Sequence, residues 1–251
     1  MNPIFIFDLE GTLARPSQPM DAGFARYLRA FMEDNTAYVV SGGTFGQIES
    51  QLAVEVLEAC TGVFANNGAE FMAAGRLVYS KQHEFHPLLR VACETFVDTS
   101  WYPVRRGRHI EELPGMLVVS ALGANANEFD RRRYRKWDET AGEREHLVRS
   151  INNSGLGYEA RLCGDTSVEI APRGWNKAVA CDEIMRRHPG APLRLYADHL
   201  SVGQADHCLV GALAAAGHRD GVCEVESYHD TWSRLVRLDR NNTRREGLNA
   251  A

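Results

Sequence analysis

An α/β fold is predicted, with a parallel-sheet core in two separated halves of the chain and an α+β unit inserted between them. Three observations carry this expectation. Short apolar runs rich in β-branched and aromatic residues alternate with stretches of helical periodicity towards both ends of the chain. From about residue 82 to residue 173 the texture changes to paired strands with tight turns, as in an antiparallel sheet backed by helices. After Gly174 the βα alternation resumes. The expected division is a core of 1–81 and 174–251 and an inserted unit of 82–173.

The first core strand is Ile4-Phe5-Ile6-Phe7, four apolar residues that end abruptly in Asp8-Leu9-Glu10-Gly11-Thr12. A buried strand that releases an Asp at its C-terminal end places it in the crevice where open α/β sheets bind ligands. By alternation Asp8 and Glu10 point the same way, with Leu9 turned back to the core. Gly11 allows a sharp turn whose N–H groups can cradle an anion. A proline-containing loop follows, then a helix from Ala22 to Phe31 with Phe24, Tyr27, Leu28 and Phe31 on one face. Thr36 to Val40 is a second buried strand. It passes through Ser41-Gly42-Gly43-Thr44 into one amphipathic stretch carrying Phe45, Ile48, Leu52, Val56 and Leu57. Val63 to Ala65 is a third strand, Asn66-Asn67-Gly68 a turn, and Phe71 to Tyr79 a hairpin around Ala74-Gly75-Arg76.

In the inserted unit, Phe85 to Val97 is helical, and His109 to Glu112 and Met116 to Ser120 are strands. One long polar helix is expected from Glu128 to about Ser150, weak at Gly142. Tyr158 to Leu162 and Ser167 to Ala171 are two more strands. In the second core half Gly174-Trp175-Asn176-Lys177 opens a helix to about Arg187, and Leu193 to Tyr196 is a strand ending in Ala197-Asp198. Gly203-Gln204-Ala205-Asp206-His207 leads into a helix to Ala215. A strand at Val222 to Val225 and a helix from about Asp230 to Leu238 close the fold, with a frayed polar tail from Arg240.

Composition narrows the class. With 44% hydrophobic and 24% charged residues the chain can bury an ordinary core, and a net charge of −5 gives no basic field to recruit nucleic acid. Six cysteines without C-x-x-C spacing fit reduced thiols better than a disulfide framework or a zinc site. Neither a signal peptide nor an apolar run of membrane length stands out, so a cytoplasmic protein without a membrane partner is expected.

Asp8 and Glu10 on one side of a strand end suit a divalent metal site or an acid/base pair, although a lone D-x-E is more often a solvated strand end. Ser41 ahead of a helix start suits a phosphoryl oxygen or an ordinary N-cap. The order D-x-E-G-T, V-V-S-G-G, G-W-N-K, then Asp198 and Asp206, each at a strand end or helix start, is far more specific than any one part. It resembles the haloacid dehalogenase superfamily of phosphotransferases, whose first motif reads D-x-D-G-T, with Glu10 at the second Asp. The resemblance implies a Rossmann-like core with a type C2b cap. Asp8 is then the nucleophile that forms an aspartyl-phosphate, and Glu10 the acid/base. Gly11, Ser41, Gly42 and Lys177 bind the transferring phosphoryl group. Asp198 and Asp206 hold Mg²⁺ with Asp8 and the backbone carbonyl of Glu10.

Within that superfamily the chain is similar to eukaryotic-type phosphomannomutases over nearly its whole length. Ser41-Gly42-Gly43, Asn67-Gly68, Arg106-Gly107, Gly115-Met116-Leu117, Pro172, Gly174-Trp175, Lys177, Asp198 and Asp206-His207 carry that likeness. That family interconverts mannose 6-phosphate and mannose 1-phosphate through a bisphosphate and commonly forms a homodimer through the cap. The resemblance also implies cap contacts to substrate from Arg131, Ser167 and Glu169, the last in place of an Asp.

Departures weigh on function. Of three cap positions where the mutases place a phosphate-clamping arginine, only Arg131 keeps it; Leu113 and Ala124 stand at the others. Glu10 is one methylene longer than Asp, Ala197 replaces a Gly, and Ala205 replaces an Asn. The expectation is therefore a Mg²⁺-dependent phosphatase acting on a sugar phosphate or similar small phosphomonoester. A hexose phosphomutase is the alternative, and a catalytically weak binding protein comes third.

Overall fold

The unbroken apolar run of the first strand becomes β1 (Ile4–Asp8), every residue of it buried. The computed structural model describes residues 2–202 and 206–249, with side chains described as far as residue 239. Helix α1 (Ala22–Asp34) follows, started by Asp21, whose Oδ1 accepts the N–H groups of Gly23 and Phe24 at 2.8 and 3.0 Å. Next come β2 (Ala37–Val40), α2 (Phe45–Gln51), α3 (Val54–Ala59) and β3 (Gly62–Ala65). The hairpin β4 (Glu70–Ala73) and β5 (Arg76–Ser80) ends the first core half.

The next unit contains α4 (Pro87–Thr99), β6 (Ile110–Leu113), β7 (Met116–Val119), α5 (Glu128–Ala141), α6 (Glu143–Asn152), β8 (Tyr158–Cys163) and β9 (Ser167–Pro172). The chain returns to the core through α7 (Ala178–Arg187), β10 (Leu193–Ala197), α8 (His207–Ala215), β11 (Val222–Glu224) and α9 (Tyr228–Asn249). Two compact units result, Met1–Ser80 with Asn176–Ala251, and Lys81–Trp175.

The core sheet runs β11-β10-β1-β2-β3-β4-β5; β11 to β3 are mutually parallel and the last two strands antiparallel. Alternation along β1 feeds two layers. Phe5, Phe7 and Leu9 pack with α1 to α3 and α9 through Phe24, Leu28, Ile48, Val56 and Leu235. Ile4 and Ile6 pack with α7 and α8 through Ala180, Ile184, Leu209 and Leu213. Burial on both faces explains why these strands read as continuous apolar runs. In the other unit an antiparallel sheet, β6-β7-β9-β8, buries Leu117, Val119, Val168 and Ile170 against Leu89 and Cys93 of α4 and Leu147 and Ile151 of α6.

Three expectations are corrected. The single helix after Thr44 is two, because Leu52 and Ala53 are extended. The Gln51 carbonyl accepts the Met20 N–H at 2.8 Å, and the Ala53 carbonyl starts the next turn. The long helix from Glu128 is likewise two, since Gly142 takes the left-handed conformation (φ 63°) and caps α5 by donating to the Asp138 carbonyl at 2.7 Å. The tail expected to fray continues α9 to Asn249.

Arg144 locks the bend at Gly142. Its Nε donates to Asp138 Oδ2 at 2.6 Å, with both side chains under 10% exposed. Arg144→Ala leaves a buried carboxylate unpaired, so a loss of about 3–5 kcal/mol is expected. Thermal unfolding of the variant checks this; an unchanged midpoint would show the pair to be dispensable.

Candidate active site

Register brings the motif residues to one end of the sheet. Asp8 pairs with Val40 across β1 and β2, so Ser41 is the next residue beyond the pairing. Phe7 pairs with Tyr196 across β1 and β10, so Asp198 leaves the sheet just past Asp8. Asp8 ends its strand and Ser41 and Asp198 follow theirs, all at C-terminal ends of parallel strands, where open α/β sheets bind ligands.

Asp8 is 3% exposed and is reached by Lys177, whose Nζ donates to Asp8 Oδ1 and to Asp206 Oδ1, each at 2.6 Å. Lys177 stands at the residue before α7 and is itself buried. Carboxylate oxygens of Asp8, Asp198 and Asp206 lie within 4.8 Å of one another. Among the described residues, Asp198 Oδ1 is buried without a hydrogen-bond partner. Three hard oxygen donors, one of them orphaned, suit a divalent cation such as Mg²⁺. Burial raises the Asp8 carboxyl from its usual 3.8 to about 7 against the pull of Lys177, with Asp206 adding to the rise. Burial likewise raises Asp198, opposed by His199. For Lys177 the two carboxylates outweigh desolvation, and the ammonium is held far above its usual range.

Gly11 is fixed here by sterics. Its φ is +85°, and a Cβ on it would lie 1.9 Å from Asp198 Oδ2. Gly11→Ala should therefore displace Asp198 and destabilise the fold by about 1–3 kcal/mol. Mg²⁺ should raise the unfolding midpoint of the wild type more than that of the variant; equal shifts would separate Gly11 from the carboxylate cluster.

Ser41 is 5% exposed, and its Oγ accepts the Gly43 N–H at 3.1 Å. The loop is held by the turn after β3: Asn67 N–H donates to the Ser41 carbonyl at 3.0 Å and Asn66 N–H to the Gly43 carbonyl at 2.8 Å. Asn66 and Asn67 both take left-handed φ, 49° and 54°. Gly42 lies against Asn67, whose Oδ1 would be 3.2 Å from a Cβ there.

Glu10 is exposed and its carboxylate stands outside the acidic cluster. Its Oε1 instead accepts Ser17 N–H at 2.8 Å and Gln51 Nε2 at 3.1 Å. Ser17 and Gln51 went unrecognised in the sequence. The available signal was a glutamine at helical spacing from Ile48 on an otherwise apolar face.

The remaining candidates, Arg131, Ser167 and Glu169, lie in the second unit. Arg131 donates Nε to the Ala126 carbonyl at 3.0 Å and Nη2 to the Ala124 carbonyl at 3.2 Å, which commits much of its fork to its own segment. Glu169 is 6% exposed and accepts Arg161 Nε at 3.0 Å, so its carboxylate already has a cation. Ser167 opens β9 opposite Cys163, and its carbonyl accepts Arg144 Nη1 at 3.5 Å. Ala205 lies outside the described residues.

Comparison with known proteins adds a family. Residues 24–238 match the family model of the eukaryotic phosphomannomutases. Phosphomannomutase 1 of Mus musculus is 30% identical over 190 residues, covering 71% of this chain and 72% of the relative. The phosphomannomutase of Galdieria sulphuraria is 25% identical over 241 residues, covering 93% of each. Among solved structures, a haloacid dehalogenase-like hydrolase from Bacteroides thetaiotaomicron superposes with a TM-score of 0.63 at 13% identity. That match covers 95% of this chain and 100% of the hydrolase, a likeness of fold.

Proposed function

The chain belongs to the eukaryotic phosphomannomutase family, and from that premise we propose that it is a Mg²⁺-dependent phosphomutase moving a phosphoryl group on a hexose phosphate through Asp8. It is an enzyme of the haloacid dehalogenase superfamily. The observation that carries the reading is the Lys177 ammonium, 2.6 Å from both Asp8 and Asp206 at the mouth of a parallel sheet. A buried nucleophile with a cation beside it suits attack on an anionic phosphate.

In this mechanism Asp8 attacks phosphorus while the bond to the ester oxygen breaks, and Glu10 gives that oxygen its proton. Glu10 then takes the proton of an acceptor hydroxyl as the hydroxyl recovers the phosphoryl group from Asp8. Lys177, Ser41 and the loop amide of Gly42 hold the non-bridging oxygens, whereas the Gly11 N–H expected beside them is already given to the Ala14 carbonyl at 2.7 Å. Asp8, Asp198, Asp206 and the Glu10 carbonyl would hold Mg²⁺, whose charge lets an anionic carboxylate approach an anionic phosphate. The same reading places the enzyme in the cytosol as a homodimer through residues 82–173.

Transfer to water is a second reading, favoured by the side chains of the cap. Leu113 and Ala124 supply no guanidinium to grip a second phosphate, and Arg131 is engaged with backbone carbonyls. The relatives' names fit the mutase better than this phosphatase. Incubation with Mg²⁺, mannose 1-phosphate and a hexose bisphosphate separates the two. Mannose 6-phosphate as the main product supports the mutase; inorganic phosphate with no isomer would replace it by the phosphatase.

A further inference from the structure

Glu10 is held by a bracket that no motif contains. Its Oε1 accepts the Ser17 backbone N–H at 2.8 Å and Gln51 Nε2 at 3.1 Å, and Ser17 Oγ stands 3.5 Å away. Both donors sit under constraint. Ser17 is a non-glycine residue held at φ 55°, a left-handed conformation costly for a residue with a side chain. Gln51 is 7% exposed at the end of α2, and its own Oε1 is buried with no hydrogen-bond partner among the described residues. A buried amide that satisfies its donor and orphans its acceptor costs stability. An apolar side chain would fill that position better.

The bracket is also tied together. Met20 N–H donates to the Gln51 carbonyl at 2.8 Å, joining the loop that carries Ser17 to the end of α2. Gly11 N–H donates to the Ala14 carbonyl at 2.7 Å, fixing the backbone on the other side of Glu10. A glutamate has one more rotatable bond than an aspartate, so such a clamp matters more for Glu10 than for the shorter acid.

We propose that Gln51 is a positioning residue: with the Ser17 N–H it pins Glu10 Oε1 and leaves Oε2 as the oxygen that exchanges the proton. The inference rests on the phosphoryl-transfer reading above. In the first step the Oε2 proton passes to the ester oxygen as its bond to phosphorus breaks and the Asp8–phosphorus bond forms. In the second step the same oxygen receives the proton of the attacking hydroxyl as the Asp8–phosphorus bond breaks. Donors on Oε1 stabilise it as the oxygen without the proton, so both steps use one geometry.

The test compares Gln51→Met with the wild type on a hexose phosphate and on p-nitrophenyl phosphate, using kcat/KM with Mg²⁺. An alkyl ester needs a proton on its leaving oxygen, whereas nitrophenolate leaves without one. The hexose phosphate value should fall about ten- to a hundred-fold, while the aryl phosphate value stays essentially unchanged. The unfolding midpoint should hold or rise, because the orphaned acceptor is gone. Adding Gln51→Met to Glu10→Gln should bring no further loss. Equal losses on both esters, or no loss on either, would overturn the role of Gln51. A wild type that cleaves neither ester would overturn the phosphoryl-transfer reading itself, and this inference with it.

Discussion

Replacing Lys177 by methionine should lower the unfolding midpoint of the metal-free protein by roughly 10 °C, a loss of about 3–5 kcal/mol. The reason is arithmetic of charge. Lys177 Nζ donates to Asp8 and Asp206, both almost fully buried, and the Asp198 carboxylate belongs to the same cluster. Without the ammonium, three acidic groups within 4.8 Å of one another repel across the cluster, and only the half-exposed His199 beside Asp198 is left to offset them among the described residues. Methionine fills the volume but supplies no charge, so the effect is electrostatic rather than a cavity. Mg²⁺ should restore part of the lost midpoint, because a cation bound to the native carboxylates stabilises the folded state. Phosphoryl transfer should still fall by about a hundred-fold or more, since the phosphoryl oxygens lose a fixed positive partner. A variant that melts with the wild type would show that the Lys177 contacts contribute little.

Replacing Asp8 by asparagine should have the opposite balance: activity falls by about four to six orders of magnitude while the fold is kept. Asparagine retains an oxygen for Lys177 and removes one buried charge. The Asp8 carboxyl is raised by burial from 3.8 to about 7 in the folded protein. Between those values the folded state keeps a proton that the unfolded state has released, so this group's contribution to stability declines as pH rises from about 4 to about 7. Midpoints of metal-free wild type should fall across that window more steeply than those of Asp8→Asn. Parallel curves would show that Asp8 ionises in the folded protein as it does in the unfolded chain.

Much of the core was legible because each element announced itself locally. Ile4 to Phe7 could only be a doubly buried strand, and Asp8 at its end had only the crevice to enter. Gly11, Ser41, Lys177 and Asp198 could be placed at strand ends or helix starts from the same alternation. That Lys177 reaches Asp8 and Asp206 together depends on the register of β1 with β10, which no local pattern states. Helix interruptions were harder. The break at Leu52-Ala53 is set by Met20 bonding to the Gln51 carbonyl, a contact from another part of the chain. Gly142 was visible as a weak point, but the full break needed the Arg144–Asp138 pair behind it. Gln51 stayed hidden because a glutamine in a helix reads as a solvated residue until its face is known to be buried. In the cap, a preserved arginine or acidic residue says nothing of its partner, and Arg131 and Glu169 both have partners within their own unit.

Phosphoryl transfer by this route requires Asp8 itself to carry the phosphoryl group. The most direct measurement is acid quenching of the enzyme with Mg²⁺ and a hexose phosphate or bisphosphate, followed by mass spectrometry of the peptide containing Asp8. One added phosphoryl mass is expected on Asp8, removed by hydroxylamine as an acyl phosphate must be, and absent from Asp8→Asn. Turnover without phosphoryl on Asp8, or with the label on another residue, would contradict this route.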